Sequence, residues 1–210
     1  MAESPSIKTI SNFKSTLKGG GARPNLFEVT IPEFPGYVSK DGEMLKDLTF
    51  MCKGANLPAS NVASIDIPFR GRILKVAGDR TFDPWTITVI NDEDFRIRHA
   101  FETWMNGISK LSNNTGASNP NAYMKDAYVY QLGRGSSGQI ETTTAVPDAQ
   151  AGRVTQSKAN VLRSYRFYDI FPTSVSEIAL SYDTGDTIEE FTVELQVQYF
   201  EIDGGPGALN

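Results

Sequence analysis

A strict alternation of apolar and polar side chains near the C-terminus constrains the fold of this chain more than any other feature. The alternation runs through Phe191, Thr192, Val193, Glu194, Leu195, Gln196, Val197, Gln198 and Tyr199. A period of two places the apolar set on one face of a β-strand and the polar set on the other. The same period recurs in residues 27–31 and 85–89. The sequence therefore predicts antiparallel strands with one buried face and one solvated face.

Other segments are typical of shorter strands separated by turns. Further strands are predicted at residues 48–53, 63–69, 73–76, 123–132, 164–171 and 178–182. Tight reversals are predicted at Asp41-Gly42, Gly71, Gly78-Asp79 and residues 183–186, because Gly and Asp favour turn conformations. These segments extend one antiparallel system along most of the chain.

One segment has a helical period instead. Its apolar residues recur at steps of three and four: Ile97, Phe101, Trp104, Met105, Ile108 and Leu111. This spacing predicts a helix over residues 93–111 with one apolar face. Asn91 or Asp92 is expected to cap its start, where Glu93 and Asp94 also suit the positive end of the helix dipole.

Composition limits the size and the partners of the protein. A chain of 210 residues with 40% apolar residues can bury one core. A formal net charge of −5 argues against a protein that grips nucleic acid, since phosphate binding depends on Lys and Arg. No segment is long and apolar enough for a membrane span, and the first twenty residues lack the apolar core of a signal peptide. The single cysteine, Cys52, excludes an intramolecular disulfide and fits a reducing cytoplasm.

Three polar stretches, residues 1–23, 112–121 and 133–160, resist assignment to packed structure. We expect a flexible N-terminal arm over residues 1–23, a single domain over residues 24–203 and a flexible tail over residues 204–210. A polar loop at residues 133–160 is predicted to be inserted in the domain, and residues 112–121 are also rich in Asn, Ser and Gly.

The sequence predicts that the protein is not an enzyme. His99 lies within the predicted helix, and neither it nor Cys52 has the surroundings of a catalytic group. We expect Cys52 to be a small buried apolar residue. The cluster Asp92, Glu93 and Asp94 lacks the spacing of a calcium loop and is explained by helix capping. No catalytic, cofactor-binding or metal-binding residue is predicted.

Several motifs in fixed order give the chain a family resemblance. The motifs are Ala-Arg-Pro-Asn-Leu-Phe at residues 22–27, Cys-Lys at 52–53, Leu-Pro-Ala at 57–59, Val-Ala-Gly-Asp-Arg-Thr-Phe-Asp-Pro-Trp-Thr-Ile-Thr-Val-Ile-Asn-Asp at 76–92, and Phe-Pro-Thr-Ser-Val at 171–175. With the final strand, they resemble the tail-tube protein of contractile-tailed, T-even-like bacteriophages. This resemblance covers most of the chain outside the three polar stretches.

The resemblance implies a fold, an assembly and a location. It implies two packed antiparallel sheets that form a β-sandwich or partly closed barrel, with one flanking helix at about residues 93–111. Six copies would form a ring, and rings would stack into a hollow tube inside a contractile sheath. That tube would conduct the tape-measure protein and genomic DNA during ejection, without specific DNA binding. The implied partners are further copies of the chain, the sheath protein, the baseplate tube-initiator, the tail terminator and the tape-measure protein, in a virion assembled in the host cytoplasm.

Two sets of residues are predicted to serve this assembly. By resemblance, residues 55–72 reach the adjacent ring, with contacts from Leu57, Ile65, Ile67, Phe69, Arg70 and Arg72. The wet faces of the strands are expected to line the lumen through Glu28, Thr30, Thr86, Thr88, Glu194, Gln196 and Gln198. Residues 34–47 and 133–160 look longer than the family's connections, and we expect the second to project from the ring.

Two other kinds of protein would show the same strand pattern as a phage tail-tube subunit. The chain could be the tube or the tube-initiator of a related baseplate, injection or secretion apparatus. A soluble β-sandwich domain that binds carbohydrate or protein would instead be a monomer with an aromatic-lined cleft.

Overall fold

The structure is a computed structural model that describes residues 8–17, 20–38, 42–140, 156–183 and 185–203. In these residues the helices are α1 (Ile10–Thr16), α2 (Gly42–Met51), α3 (Arg96–Ile108) and α4 (Pro120–Tyr123). The strands are β1 (Phe27–Thr30), β2 (Cys52–Ala55), β3 (Ser60–Phe69), β4 (Arg72–Phe82), β5 (Trp85–Ile90), β6 (Lys125–Ile140), β7 (Gln156–Val175), β8 (Glu190–Gln196) and β9 (Tyr199–Asp203).

Two antiparallel sheets share the long strand β7. The first sheet has the order β1-β6-β7-β9, and the second has the order β7-β8-β5-β2, using the last residues of β7. Strands β1 and β2 end the hydrogen-bonded path, so the described strands do not close into a barrel. The predicted fold class, mainly β with two packed antiparallel sheets, is confirmed. A separate hairpin, β3 with β4, stands outside both sheets.

The core lies between the inner faces of the two sheets. Trp85 of β5 stacks on Phe167 of β7, with ring centroids 4.7 Å apart. Val29, Ile87 and other alternating strand residues are fully buried around this pair. Each large apolar side chain buried in this way stabilises the fold by about 1.5–3 kcal/mol before chain entropy is counted. The predicted apolar strand faces therefore form one core.

Helix α3 covers this core, although its bounds differ from the prediction. Ile97, Phe101 and Trp104 are buried, as the helical period predicts, but the helix begins at Arg96 and ends at Ile108. The predicted cap is wrong: the N-cap is Phe95, whose φ is 54° and whose side chain makes no capping hydrogen bond. Asn91 instead donates its side-chain amide to the Glu189 carboxylate, 3.0 Å away. Leu111, expected on the apolar face, lies beyond the helix.

The strand predicted at residues 48–53 is wrong for most of its length. Helix α2 continues to Met51, and only Cys52 and Lys53 belong to a strand. Met44 and Leu48 are both buried one helical turn apart, so packing of this face outweighs local strand propensity. Gly42 begins this helix, and Asp41 lies outside the described residues.

The C-terminal alternation is divided between the two sheets. β8 ends at Gln196, and β9 begins at Tyr199 and pairs with β7 in the first sheet. At the crossover, the backbone N–H of Gln198 donates to the backbone carbonyl of Tyr168, 3.3 Å away. Gln198 is therefore not on the same strand face as Glu194, which corrects the prediction of one continuous strand.

Several polar or loop assignments also need correction. β6 and β7 extend into the predicted loop at residues 133–160 and pair as far as Ile140 with Gln156, while residues 141–155 lie outside the described residues. The predicted strand at residues 178–182 is an exposed loop. Helix α1 forms within the predicted N-terminal arm but buries no residue. The predicted C-terminal tail, residues 204–210, lies outside the described residues.

Candidate functional site: assembly surfaces

The β3–β4 hairpin is exposed along nearly its whole length. Every residue from 60 to 77 is exposed, on both strands and both faces. The exposed apolar side chains are Val62, Ile65, Ile67, Phe69, Ile73, Leu74 and Val76. Only the base contacts the body, where the Phe82 ring meets Phe200 edge-on at 5.3 Å. Among the described residues, no other element covers the rest of the hairpin, and an isolated two-stranded hairpin is only marginally stable in water.

The strand register gives the hairpin two different faces. Directly paired residues share a face, and the pairs Ile65 with Val76, Ile67 with Leu74, and Phe69 with Arg72 alternate with the pairs on the other side. We define the apolar hairpin face as Ile65, Ile67, Phe69, Leu74 and Val76. The opposite face carries an ion pair between Lys75 and Asp66 at 2.9 Å. One side of the hairpin is thus suited to an apolar partner.

The hairpin tip is a tight turn with two cations. Arg70 and Gly71 have positive φ values of 44° and 81°, as a two-residue hairpin loop requires. The Arg70 guanidinium lies 5.4 Å from the centroid of the Phe69 ring. Within the described residues, neither Arg70 nor Arg72 forms an ion pair with a carboxylate. Both charges remain available to a partner.

Gly78 belongs to strand β4, so the predicted reversal at Gly78-Asp79 is wrong. The β3 register shifts between Val62 and Ser64, opposite this position. A Cβ atom at Gly78 would lie 3.2 Å from the Ala63 carbonyl oxygen and 3.2 Å from Ile65 Cγ1. The glycine therefore allows close approach at a bulge rather than a turn.

Five of the six residues predicted at the inter-ring contact lie on this hairpin. They are Ile65, Ile67, Phe69, Arg70 and Arg72, all exposed. Leu57 is exposed too, but it precedes β3 and lies off the hairpin. Sequence reasoning missed Leu74 and Val76, although their alternation with Lys75 carried the signal. The contact role of all six stays a prediction.

The residues predicted to line a lumen are divided between two outer faces. Glu28 and Thr30 lie on the first sheet, opposite Tyr130 and Tyr128 of β6. In the second sheet, Thr86 pairs with Glu194, and Thr88 pairs with Thr192 on the same face as Gln196. Because the sheets pack through their inner faces, the two outer faces point away from each other. The seven residues do not form one surface.

The outer face of the first sheet is rich in tyrosine and arginine. We call it the tyrosine face and define it by Glu28, Thr30, Tyr128, Tyr130, Arg166, Tyr168 and Tyr199. Arg166 pairs with Asp126 at 2.7 Å, and its guanidinium lies 4.4 Å from the Tyr168 ring centroid. The hydrogen bond with Asp126 raises the pKa of Arg166. A hydrogen bond to Glu201 likewise raises the pKa of Tyr168. This face is a network of ion pairs and stacked rings.

The outer face of the second sheet carries small hydroxyl, amide and carboxylate groups. We call it the threonine face and define it by Thr86, Thr88, Thr192, Glu194 and Gln196. No aromatic or basic residue belongs to this set. At its margin, Lys53 of β2 forms an ion pair with Glu190. The two outer faces therefore offer different chemistry to any partner.

The cysteine, the histidine and the acidic cluster before α3 lie in environments that explain them structurally. Cys52 is buried, and desolvation raises its pKa to about 12, which disfavours the reactive thiolate. His99 is exposed on α3, with its ring 3.4 Å from the Thr103 hydroxyl. Asp94 pairs with Arg96 at 2.7 Å. Among the described residues, no group of His, Cys, Asp and Glu side chains could hold a metal ion, and no helix is long and apolar enough to cross a membrane.

The exposed apolar hairpin and the two chemically distinct outer faces are typical of a structural protein that offers surfaces to partners. The phage tail tube protein family matches residues 22–203, and the chain belongs to this family. The tail tube protein gp19 of Enterobacteria phage T4 is 34% identical over 183 residues, covering 87% of this chain and 93% of that protein. The tail tube protein gp19 of Enterobacteria phage T6 is 33% identical over 183 residues, which again cover 87% of this chain and 93% of that protein.

Solved structures share the fold. The tube terminating cap of the anti-feeding prophage superposes with a TM-score of 0.53 at 15% identity, covering 96% of this chain and 95% of that one. The predicted family is thus confirmed, and the ligand-binding sandwich is set aside. The protein is a structural component of the phage virion, and its relatives are tail tube proteins rather than enzymes.

Proposed function

We propose that six copies of this chain form a ring and that rings stack into a hollow tube inside a contractile sheath. The observation that carries this proposal is the uncovered apolar hairpin face. Exposed apolar patches of this kind mark interaction sites, and a ring stack supplies a second copy to cover them. In this assembly the tube conducts the tape-measure protein and then genomic DNA during ejection.

The sheet edges support closure of the ring. Strands β1 and β2 end the path through the two sheets, and β9 forms the other margin of the first sheet. Edge strands present unpaired backbone groups that a neighbouring chain can pair with. A ring needs two different surfaces that fit each other, since head-to-tail contacts are heterologous. Edges at opposite sides of the sandwich meet this need.

The threonine face is the better candidate for the lumen. Glu194 and its neighbouring hydroxyls hydrate well, and the carboxylate repels DNA phosphate. The tyrosine face would retain DNA more strongly, because aromatic rings stack on bases. We therefore place Thr86, Thr88, Glu194 and Gln196 in the channel. Glu28 and Thr30 then face outward, toward the sheath protein.

A tube of stacked rings has two ends, and each end needs a partner protein. The tube would begin on a baseplate tube-initiator and end at a tail terminator, and DNA would pass without specific binding. A role as the tube or initiator of a related injection apparatus is the second candidate, favoured by the shared fold with the anti-feeding prophage cap. Assembly would take place in the host cytoplasm.

Electron microscopy of the assembled protein tests this proposal. The chain is imaged at high concentration, alone and with baseplates from its phage as nucleators. We expect six-fold rings and hollow tubes that grow from the baseplates. Solid filaments, or rings of another symmetry, would refute the proposed assembly. Tubes that grow from purified baseplates of an injection apparatus, and from no phage baseplate, would favour the second candidate.

A further inference from the structure

A second uncovered apolar surface lies in the loop between β7 and β8. We define the acceptor loop as residues 178–183 and 185–190. Leu180, Tyr182 and Ile188 are exposed by 81%, 108% and 73%. With Glu189 and Glu190 they line an open pocket of about 660 Å³. The loop therefore offers an apolar concavity that the described residues of the subunit leave open.

The acceptor loop and the hairpin lie at opposite ends of the same strand pair. Strands β5 and β8 pair from Trp85 with Leu195 to Ile90 with Glu190. The hairpin precedes Trp85 at one end of this pair, whereas the acceptor loop ends at Glu190 at the other end. At about 3.4 Å per residue, the two ends are roughly 17 Å apart. No residue of the hairpin belongs to the lining of this pocket in the same subunit, so both surfaces are open to another molecule.

The two surfaces complement each other in charge as well as in polarity. The hairpin tip carries Arg70 and Arg72 next to the apolar hairpin face. The acceptor loop carries exposed acidic residues at Asp183 and Asp186, next to Tyr182. Within the described residues, neither aspartate forms an ion pair. Opposite charges on matching apolar surfaces favour one partner and one orientation.

We propose that the acceptor loop of one copy receives the apolar hairpin face of a second copy in the adjacent ring, with Arg70 and Arg72 against Asp183 and Asp186. This inference rests on the proposed function for the placement of the second copy. A projection at one end and its pocket at the other make a heterologous contact that repeats without closing. Stacking then has a fixed direction, from hairpin to loop.

Disulfide capture between two kinds of copy tests the contact. Ile67→Cys copies are mixed with Ile188→Cys copies, assembled on nucleating baseplates and oxidised with copper phenanthroline and oxygen. The native Cys52 is buried and does not compete. Capture is specific, because a disulfide requires Cα atoms within about 7 Å. We expect cross-linked dimers in the mixture and their loss when Leu111→Cys replaces Ile188→Cys, since Leu111 is an even more exposed control at 95% against 73%.

Charge reversal gives an independent readout. Arg70→Asp with Arg72→Asp, or Asp183→Arg with Asp186→Arg, should each shorten the tubes, because like charges then meet. Combining all four changes in one chain should restore tube length, which a general folding defect would not do.

The outcomes separate this inference from the proposed function. Six-fold tubes without cross-linked dimers would overturn the loop contact and leave the tube intact. Cross-linked chains without six-fold tubes would support the contact and refute the tube. Dimers that form equally well with Leu111→Cys, or charge reversals that the combination does not rescue, would overturn the contact.

Discussion

Replacing Phe69 by alanine should weaken stacking and leave the subunit folded. The Phe69 ring is 65% exposed in the isolated subunit, so its removal creates no internal cavity. We expect the free energy of unfolding of the subunit to fall by less than about 1 kcal/mol, which includes the contact with Arg70. The hairpin base and both sheets keep all their contacts.

The free energy lost at the proposed contact between rings is larger than the loss in subunit stability. Full burial of an aromatic side chain contributes about 1.5–3 kcal/mol, and the 65% still exposed corresponds to about 1–2 kcal/mol per copy on docking. Over the six copies of the proposed ring, the loss reaches about 6–12 kcal/mol per ring contact if the copies act independently. Each 1.4 kcal/mol changes an association constant about tenfold.

Thermal unfolding of the subunit and tube length in electron micrographs measure the two effects. Phe101→Ala is the matched control, because Phe101 is fully buried against the core. It should destabilise the subunit by about 3–5 kcal/mol, a decrease in Tm of at least about 6 °C. Phe69→Ala should change the Tm by at most a few degrees while tubes shorten or disappear. Tubes of normal length, or a Tm loss as large as that of Phe101→Ala, would refute the reasoning.

Three further predictions follow from other parts of the structure. Glu194→Lys should slow genome ejection, whereas Glu28→Lys should leave it unchanged; the reverse result would place the tyrosine face in the lumen. Gly107→Ala should lower the Tm although alanine favours helices, because its Cβ would lie 2.0 Å from Tyr37 Cε2, and we expect a loss of roughly 1–3 kcal/mol. Cys52, with its pKa raised to about 12, should resist a thiol reagent at pH 8 until the protein unfolds; rapid labelling of the native subunit would contradict its burial.

The elements that the sequence predicted well are those with a strong period. β1, β5 and the first part of the C-terminal alternation follow the period of two, and their apolar residues are buried except Phe27 and Ile90, which are half-buried. Helix α3 follows the helical period through Phe101 and Trp104. In these segments, the side chains that prefer burial already lie on one face, so tertiary packing adds to the local preference.

The failures occur where local preference and tertiary packing disagree. Residues 48–51 have strand-forming side chains, yet burial of Met44 and Leu48 extends α2 through them. The C-terminal alternation has no turn signal at Val197 and Gln198, but the chain changes sheets there. Around Ile178 to Tyr182, strand-like side chains find no partner strand in the part of the chain that the structure describes. Burial decided the first case, pairing with β7 decided the second, and the lack of a partner strand among the described residues decided the third.

The sequence by itself determined the family, the mainly β fold, the helical face of α3 and the hairpin turn at Gly71, because ordered motifs and periodicity are local properties. Only the tertiary structure decided which surfaces those residues form. It separated Glu28 from Glu194 by placing them on the outer faces of two sheets that pack through their inner faces. It also set the acceptor loop at the opposite end of β5 from the hairpin. These arrangements depend on long-range pairing and burial, which no single segment of the chain encodes.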